Sequence, residues 1–398
     1  MAGLEEKLCP VCFQEAMEHG ECRNCGYHAE ESSAVKDYLA PFTILKEKYL
    51  LGKSLGQGGF GITYLAENMQ SGLRCCIKEY FPSGLLQGRT PDGALILADE
   101  ENRPEYEEGK QQFIEEACAL QELRENISVV DILDFFEENG TAYFAMELIE
   151  GCNLRVFRKN HNPKQTLKMA LQMLFLLGSS LAEVHRFGMI HGDISPENIL
   201  ITQDGEIKLI DFGAARSFRQ GSDNKERKIY LKPNYAPYEQ YTQKPCQGPW
   251  TDIYALAATF YFIVSGRKML DALSRAKGAS YPPLHELCPA VSRQLSDVID
   301  KALAFDYHDR YRRMLDFLDA LEQVVRPEDY DIDLGALMPK SKASKQAEIH
   351  VETSDDSEKM CQVEEQNMPE PKRLAAFFHP KKRRLAYLEL TMRKSGGH

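Results

Sequence analysis

Three side chains near the middle of the chain could carry out a reaction together. Asp193 and Asn198 lie in His191-Gly192-Asp193-Ile194-Ser195-Pro196-Glu197-Asn198, and Asp211 opens Asp211-Phe212-Gly213. A carboxylate can orient a hydroxyl and take its proton. An amide oxygen and a second carboxylate are hard ligands suited to Mg2+. The spacing therefore fits phosphoryl transfer: Asp193 would hold the acceptor hydroxyl, while Asn198 and Asp211 would hold metal ions on ATP. The transferred group is highly charged in such a reaction, so positioning and charge neutralisation do most of the work. A general base typically contributes about 10²–10⁴-fold.

A glycine string, Gly56-Gln57-Gly58-Gly59-Phe60-Gly61, supplies the place for phosphates. Glycine lets backbone N–H groups approach an anion with no side chain in the way. Dinucleotide-binding folds use the same string before a helix. Here it lies between two strand-like stretches.

These motifs together resemble the protein kinase family, of the bacterial serine/threonine type. The resemblance runs from about Tyr49 to Arg326. It implies that Lys78, in Cys75-Cys76-Ile77-Lys78, holds the α- and β-phosphates. It also implies that a helix glutamate orients that lysine. Glu116 is the choice, since Glu115 points about 100° away on the same helix. Thr63 and Cys76 take the small positions around adenine, with Leu55 at the start of the glycine loop. A buried, inert thiol is the first reading of Cys76. Met146 resembles the residue at the back of the adenine slot, and Glu147 and Leu148 the hinge whose backbone bonds adenine. Tyr235-Ala236-Pro237-Tyr238-Glu239 resembles the end of the activation segment. Glu239 would pair with Arg310, and Asp252 would anchor the catalytic loop; all three are scaffold residues.

Two positions depart from the family pattern. Gly192 replaces an arginine that, in family members carrying it, receives a phosphorylated activation segment. Activity independent of such phosphorylation is the expectation, although Ser217, Ser222 and Tyr230 lie in that segment. Ser195 replaces a lysine or alanine. Where a lysine is present it touches the transferred phosphate, and losing such a charge slows transfer by about 10²–10³-fold unless something compensates.

A separate metal site is written into the N-terminus. Cys9-Pro10-Val11-Cys12 and Cys22-Arg23-Asn24-Cys25 give C-x₂-C-x₉-C-x₂-C. Each pair can form a knuckle aiming two thiolates at one ion, and four thiolates complete a tetrahedral Zn2+ shell. With no open position the zinc would be structural. So small a unit buries too little apolar surface to fold alone, so the metal would supply its folding energy. A redox pair is the rival reading, and His19 and His28 are bystanders.

The elements that must position these residues follow from periodicity. Strand-like residues flank the glycine string. Residues 82–104, rich in Pro, Gly and Asp, read as an insertion loop. Phe113, Ala117, Leu120 and Leu123 recur at helical spacing. Strands are predicted around Val129–Phe136 and Ala142–Leu148, with a hairpin turn at Glu137-Glu138-Asn139-Gly140. Helical patterns cover roughly 165–186, 251–265, 291–304 and 314–325.

The expected fold class is α+β: a bilobal kinase fold with a β-rich N-lobe containing one helix, and a larger helical C-lobe. The expected layout is a zinc ribbon over 1–28, a linker over 29–48, an N-lobe over 49–150, a C-lobe over 151–327, and a mostly disordered tail over 328–398. The tail is acidic at Ser354-Asp355-Asp356-Ser357-Glu358 and basic at Lys381-Lys382-Arg383-Arg384.

With 398 residues and a net charge of -12, a general nucleic-acid role is disfavoured. The basic run leaves open a docking, membrane-surface or nucleic-acid contact, with a solvated arm as the first reading. Met1-Ala2-Gly3-Leu4-Glu5-Glu6-Lys7 has no apolar signal core, the apolar stretches read as buried helices, and eleven cysteines show no disulfide framework. A cytosolic location is the default expectation.

The function expected is Mg2+-dependent transfer of the ATP γ-phosphoryl group to a serine or threonine hydroxyl of a protein. The alternative is a pseudokinase or ATP-binding scaffold signalling through its ribbon and tail.

Overall fold

In the computed structural model the described residues are 7–29, 37–58, 61–124, 126–212, 216–217, 231–242 and 246–338. The expectations for Ser222, Tyr230 and the charged tail runs fall outside them.

The ribbon is built on two knuckles. Phe13 donates its N–H to Cys9 O and Gly26 donates to Cys22 O, at 2.9 and 2.8 Å. Phe13 and Gly26 both take positive φ, 55° and 72°, which turns the chain after each cysteine pair. A short hairpin, β1 (Met17–Glu18) and β2 (Glu21–Cys22), joins the knuckles.

The small lobe contains a six-stranded antiparallel sheet of order β3-β4-β5-β6-β10-β9. Its strands are β3 (Ile44–Leu45), β4 (Tyr49–Gln57), β5 (Gly61–Asn68), β6 (Leu73–Tyr80), β9 (Ile132–Glu138) and β10 (Thr141–Glu147). Alternation along β10 divides its side chains. Phe144 joins the core beneath α1 (Arg103–Glu122), while Tyr143 and Ala145 face the opposite core with Tyr49, Tyr64 and Phe136. Asn139 and Gly140, both at positive φ, make the turn between β9 and β10.

Two stretches differ from the sequence reading. The second half of the expected linker belongs to the lobe. β3 pairs with β4, Leu39 and Leu45 are buried, and the Leu39 N–H donates to Tyr64 Oη at 3.1 Å. The expected insertion loop contains a hairpin, β7 (Leu86–Arg89) and β8 (Leu95–Leu97). Leu86 and Leu95 pack against the sheet, and Arg89 enters the lobe to pair with the fully buried Glu79. Tyr64 and Tyr143 donate to the same carboxylate at 3.0 and 2.8 Å. That charge is thus fully engaged, as burial demands.

The large lobe opens with β11 (Gly151–Asn153), α2 (Leu154–Asn160) and α3 (Pro163–Arg186). Asn162 and Gln165 cap α3 reciprocally. This helix is long and apolar enough to cross a membrane, but most of its length is packed inside the lobe. The catalytic strings lie around β12 (Met189–Ile190), β13 (Ile199–Thr202) and β14 (Ile207–Leu209), with β15 (Arg216–Ser217) pairing with β12.

Next comes α4 (Pro249–Ser265), buried continuously from Thr251 to Ile263 and ended by Gly266 in the left-handed conformation. Helices α5 (Ala272–Ala276), α6 (Leu284–Leu287), α7 (Arg293–Ala302), α8 (Met314–Glu322) and α9 (Pro327–Tyr330) complete the described order. The lobe runs past the expected boundary at 327: Leu334 and Met338 are buried in its core.

Candidate active site

The glycine loop joins β4 to β5. Gly58 N–H donates to Gly61 O at 2.8 Å, closing the turn, while Gly59 and Phe60 lie outside the described residues. Gly56 pairs with Thr63 and Gln57 with Ile62 across the strands. Leu55 is exposed at the start of the loop. Gly61 has no room for a side chain, because a Cβ there would run into Glu79 O.

Behind this loop β6 carries Cys76 and Lys78. Cys76 pairs with Met146 on β10 and is buried, which pushes its thiol up to about 12. It is therefore unreactive at neutral pH. At the end of β10 the Glu147 carboxylate accepts from Lys208 Nζ at 2.8 Å and from Asp131 N–H at 3.0 Å. The bond from Lys208 ties the end of β10 to β14 in the large lobe, the bond from Asp131 ties it to the start of β9, and Leu148 follows it.

Lys78 Nζ donates to Asp211 Oδ1 at 2.6 Å. Burial alone would lower the ammonium's pKa, but the carboxylates of Asp211 and Glu116 hold it above its ordinary value. The same ammonium holds Asp211 down at about 2. Asp211 sits at φ 65°, a conformation non-glycine residues seldom adopt.

Glu116 is the glutamate of α1 turned inward; Glu115 is exposed and accepts from Gln111 Nε2 at 3.3 Å. Lys78 does not hydrogen-bond Glu116. Glu116 Oε1 is shielded from solvent and has no hydrogen-bond partner among the described residues, and burial pushes its carboxyl up to about 8. The expected Lys78–Glu116 contact gives way here to Lys78–Asp211.

The catalytic loop hangs from Asp252 on α4, which is fully buried. Its carboxylate accepts the N–H groups of His191 and Gly192 at 2.8 and 2.9 Å, and His185 Nε2 lies 2.8 Å away. His191 Nδ1 accepts the Asp193 N–H, so its Nε2 is the protonated nitrogen, donating to Ile210 O at 3.2 Å. Burial lowers the His191 pKa, keeping the ring neutral. Gly192 takes φ 76°. Asn198 Nδ2 donates to Asp193 O and Oδ2 at 2.9 and 2.8 Å. Burial raises the Asp193 carboxyl despite a lysine beside it.

That lysine is Lys232, whose Nζ lies 2.9 Å from Asp193 Oδ2 and 2.9 Å from Ser195 Oγ. Sequence reasoning missed it. The available signal was a cation just before Pro233-Asn234-Tyr235, paired with the loss of one at Ser195. Further on, Arg310 grips Glu239 with two bonds, at 2.7 and 3.1 Å, in a buried pair.

The sequence-predicted residues thus converge on one crevice: Lys78 and Asp211 in contact, Glu116 beside them, and Asp193 bonded to Asn198. Asp211, ionised at neutral pH, and Asn198, whose amide nitrogen is engaged by Asp193, offer hard oxygens that suit Mg2+.

In the N-terminal unit, the Sγ atoms of Cys9, Cys12, Cys22 and Cys25 lie within 4.8 Å of one another. The Cys9–Cys25 and Cys12–Cys22 separations are both 3.6 Å. A tetrahedral zinc–thiolate site with about 2.3 Å bonds places sulfurs about 3.8 Å apart, so the cluster fits zinc. The ribbon docks on β4. Lys53 N–H donates to Pro10 O at 2.9 Å, and a Cβ on Gly52 would collide with Pro10 O and approach Phe13 Cζ to 2.8 Å.

Comparison with known proteins agrees with this geometry. The family model described as protein kinase domain matches residues 49–319. Serine/threonine-protein kinase F of Synechocystis is 31% identical over 286 residues, covering 67% of this chain and 53% of that protein. Serine/threonine-protein kinase PknA of Nostoc is 29% identical over 289 residues, covering 70% of this chain and 48% of that protein. The chain thus spans about half the length of these curated relatives. Among solved structures, PpkA-294 in its apo form is similar with a TM-score of 0.60 and 34% identity, covering 72% of this chain and all of that one.

Proposed function

Because the chain belongs to the protein kinase domain family, we propose that it transfers the γ-phosphoryl group of ATP to serine or threonine hydroxyls of proteins. One observation carries this reading: Asp193 and Asn198 on one loop, and Lys78 and Asp211 beside them, share one crevice below the glycine loop. Asp193 orients the acceptor hydroxyl and takes its proton, and Lys78 turns from Asp211 to the ATP phosphates. Asp211 and Asn198 would hold Mg2+, which when bound neutralises phosphate charge. Serine/threonine acceptors follow from the character of the relatives. Gly192 offers no cation for a phosphorylated activation segment, so turnover does not depend on one. The ribbon's zinc is structural, and its partner is the chain's own small lobe. We place the protein in the cytosol, where ATP is abundant.

The test is direct. Full-length protein is incubated with labelled ATP, Mg2+ and a serine/threonine peptide library, beside Asp193→Asn and Asp211→Ala. Incorporation in the wild type, lost in both variants, is the expected result. Equal background in all three with nucleotide still bound would replace this reading with a nucleotide-binding scaffold. Turnover abolished by prior phosphatase treatment would overturn the phosphorylation-independent part alone.

A further inference from the structure

We propose that Lys232 supplies the cation that the catalytic loop lacks, holding Asp193 in register and neutralising charge on the phosphoryl group in flight. The inference rests on the kinase reading above.

Lys232 Nζ bridges Asp193 Oδ2 and Ser195 Oγ, at 2.9 Å to each. Ser195 is fully buried, so its hydroxyl is a fixed acceptor aimed at the ammonium rather than a surface group. The lysine side chain is 34% exposed, so its charge sits at the edge of the crevice and not sealed in the core. Among the described residues, Asp193 Oδ2 takes the bonds from both Asn198 and Lys232, and Oδ1 takes none. One oxygen is thus clamped, and the other is left for the acceptor hydroxyl.

The backbone that delivers the lysine is pinned. Lys232 O accepts the N–H groups of Tyr235 and Ala236, both at 2.9 Å. Asn234 Nδ2 donates to Met269 O at 2.7 Å, and Gln240 Nε2 reaches back to Gly192 O at 2.8 Å. Among the described residues, Lys78 is engaged by Asp211 and Lys208 by Glu147. The cation absent at position 195 has therefore been moved to position 232, and the small hydroxyl at 195 makes room for it.

The step balances without any further reactant. The acceptor oxygen bonds to the γ-phosphorus as the bond from that phosphorus to the β-bridging oxygen breaks, and ADP leaves. The hydroxyl proton passes to Asp193, and Lys232 stays protonated throughout.

The experiment is a charge swap in the full-length chain. Wild type, Lys232→Ser, Lys232→Arg, Ser195→Lys and the double variant Ser195→Lys/Lys232→Ser are compared for kcat, the KM of ATP and the pH profile of kcat. Lys232→Ser is expected to lower kcat about 10²–10³-fold with the KM of ATP little changed, and to move the acid limb to higher pH, because the ammonium no longer favours the Asp193 carboxylate. The double variant is expected to regain at least about tenfold of that loss, since its lysine returns to the loop that carries Asp193. Lys232→Arg is expected to retain more turnover than Lys232→Ser. If Lys232→Ser does not fold, recovery in the folded double variant still carries the point. Active wild type with Lys232→Ser undiminished, or a folded double variant no better than Lys232→Ser, overturns the inference alone. Inert wild type overturns the kinase reading and this inference with it.

Discussion

Asp252 offers the sharpest test of how the fold holds the reacting groups. Its buried carboxylate accepts two successive backbone N–H groups, from His191 and Gly192, and lies within hydrogen-bond distance of His185 Nε2. Asp252→Asn keeps the shape but turns one acceptor oxygen into an NH2 group facing a donor. One charge-assisted bond, worth about 1.5–3 kcal/mol, is lost. A buried donor left facing another donor brings the cost of breaking such a buried charged arrangement to about 3–5 kcal/mol. At about 2–4 °C per kcal/mol for a domain of this size class, the melting midpoint should fall by roughly 6–20 °C.

The pH dependence has a defined sign. The bonds from His185 and the backbone outweigh burial and hold the Asp252 pKa below its ordinary 3.8. Its contribution is therefore fully present above about pH 4 and is lost as pH falls through the depressed folded value. The gap between wild type and variant should stay constant from pH 5 to 8, measured by thermal denaturation. Assayed well below the variant's midpoint, kcat should drop while the KM of ATP stays near wild type, because Asp252 sets the Asp193 loop and not the glycine loop. A midpoint within about 1 °C of wild type, corresponding to under about 0.5 kcal/mol, would refute the reasoning.

Three further outcomes are expected. Elemental analysis of the wild type is expected to find one zinc per chain, which Cys22→Ser should lose, and strong chelators should unfold the ribbon; undiminished zinc in the variant would contradict the four-thiolate site. Arg310→Met should cost about 3–5 kcal/mol by leaving Glu239 buried and unpaired, whereas Glu239→Gln/Arg310→Met should cost less than the sum of the singles; additive losses in chemical denaturation would argue against the pair. ATP binding at pH 7 should release up to about one proton as Lys78 leaves Asp211 and Glu116 ionises, since burial raises the Glu116 carboxyl to about 8. Calorimetry in buffers of differing ionisation enthalpy reads this release, which should vanish in Glu116→Gln.

The sequence was most legible where function is packed into short contiguous strings. Asp193 and Asn198 sit five residues apart on one loop, and their hydrogen bond needs no distant partner. Glu116 was separable from Glu115 because helical geometry alone assigns their faces. What escaped reading was tertiary. Arg89 lies in a stretch dominated by turn formers, and its burial depends on meeting Glu79 and two tyrosines from other strands. The second half of the linker became sheet because Leu39 and Leu45 found a core that composition does not display. Ribbon docking turns on Gly52, a missing side chain on a strand, which periodicity does not mark. The Lys78–Asp211 contact reflects the charge balance among Lys78, Asp211 and Glu116, which motif spacing does not display.

That charge balance links the two departures from the family pattern. In the crevice Asp211 has Lys78 and Asp193 has Lys232, and among the described residues Glu116 has no hydrogen-bonded cation. A lysine built into the catalytic loop would hold Asp193 however the activation segment lay. Here the lysine belongs to the last stretch of that segment itself, just before Tyr235-Ala236-Pro237-Tyr238-Glu239, so Asp193 acquires its cation only when residues 231–236 adopt the arrangement pinned by Asn234 and Gln240. An arginine at 192 would add a phosphate as a second condition for that arrangement. Gly192 removes the condition, and its carbonyl instead accepts Gln240 directly. On the phosphorylation-independent reading proposed above, control falls on whether the segment end docks, a matter of packing and hydrogen bonds that substrate or partner contacts can tip without a covalent mark.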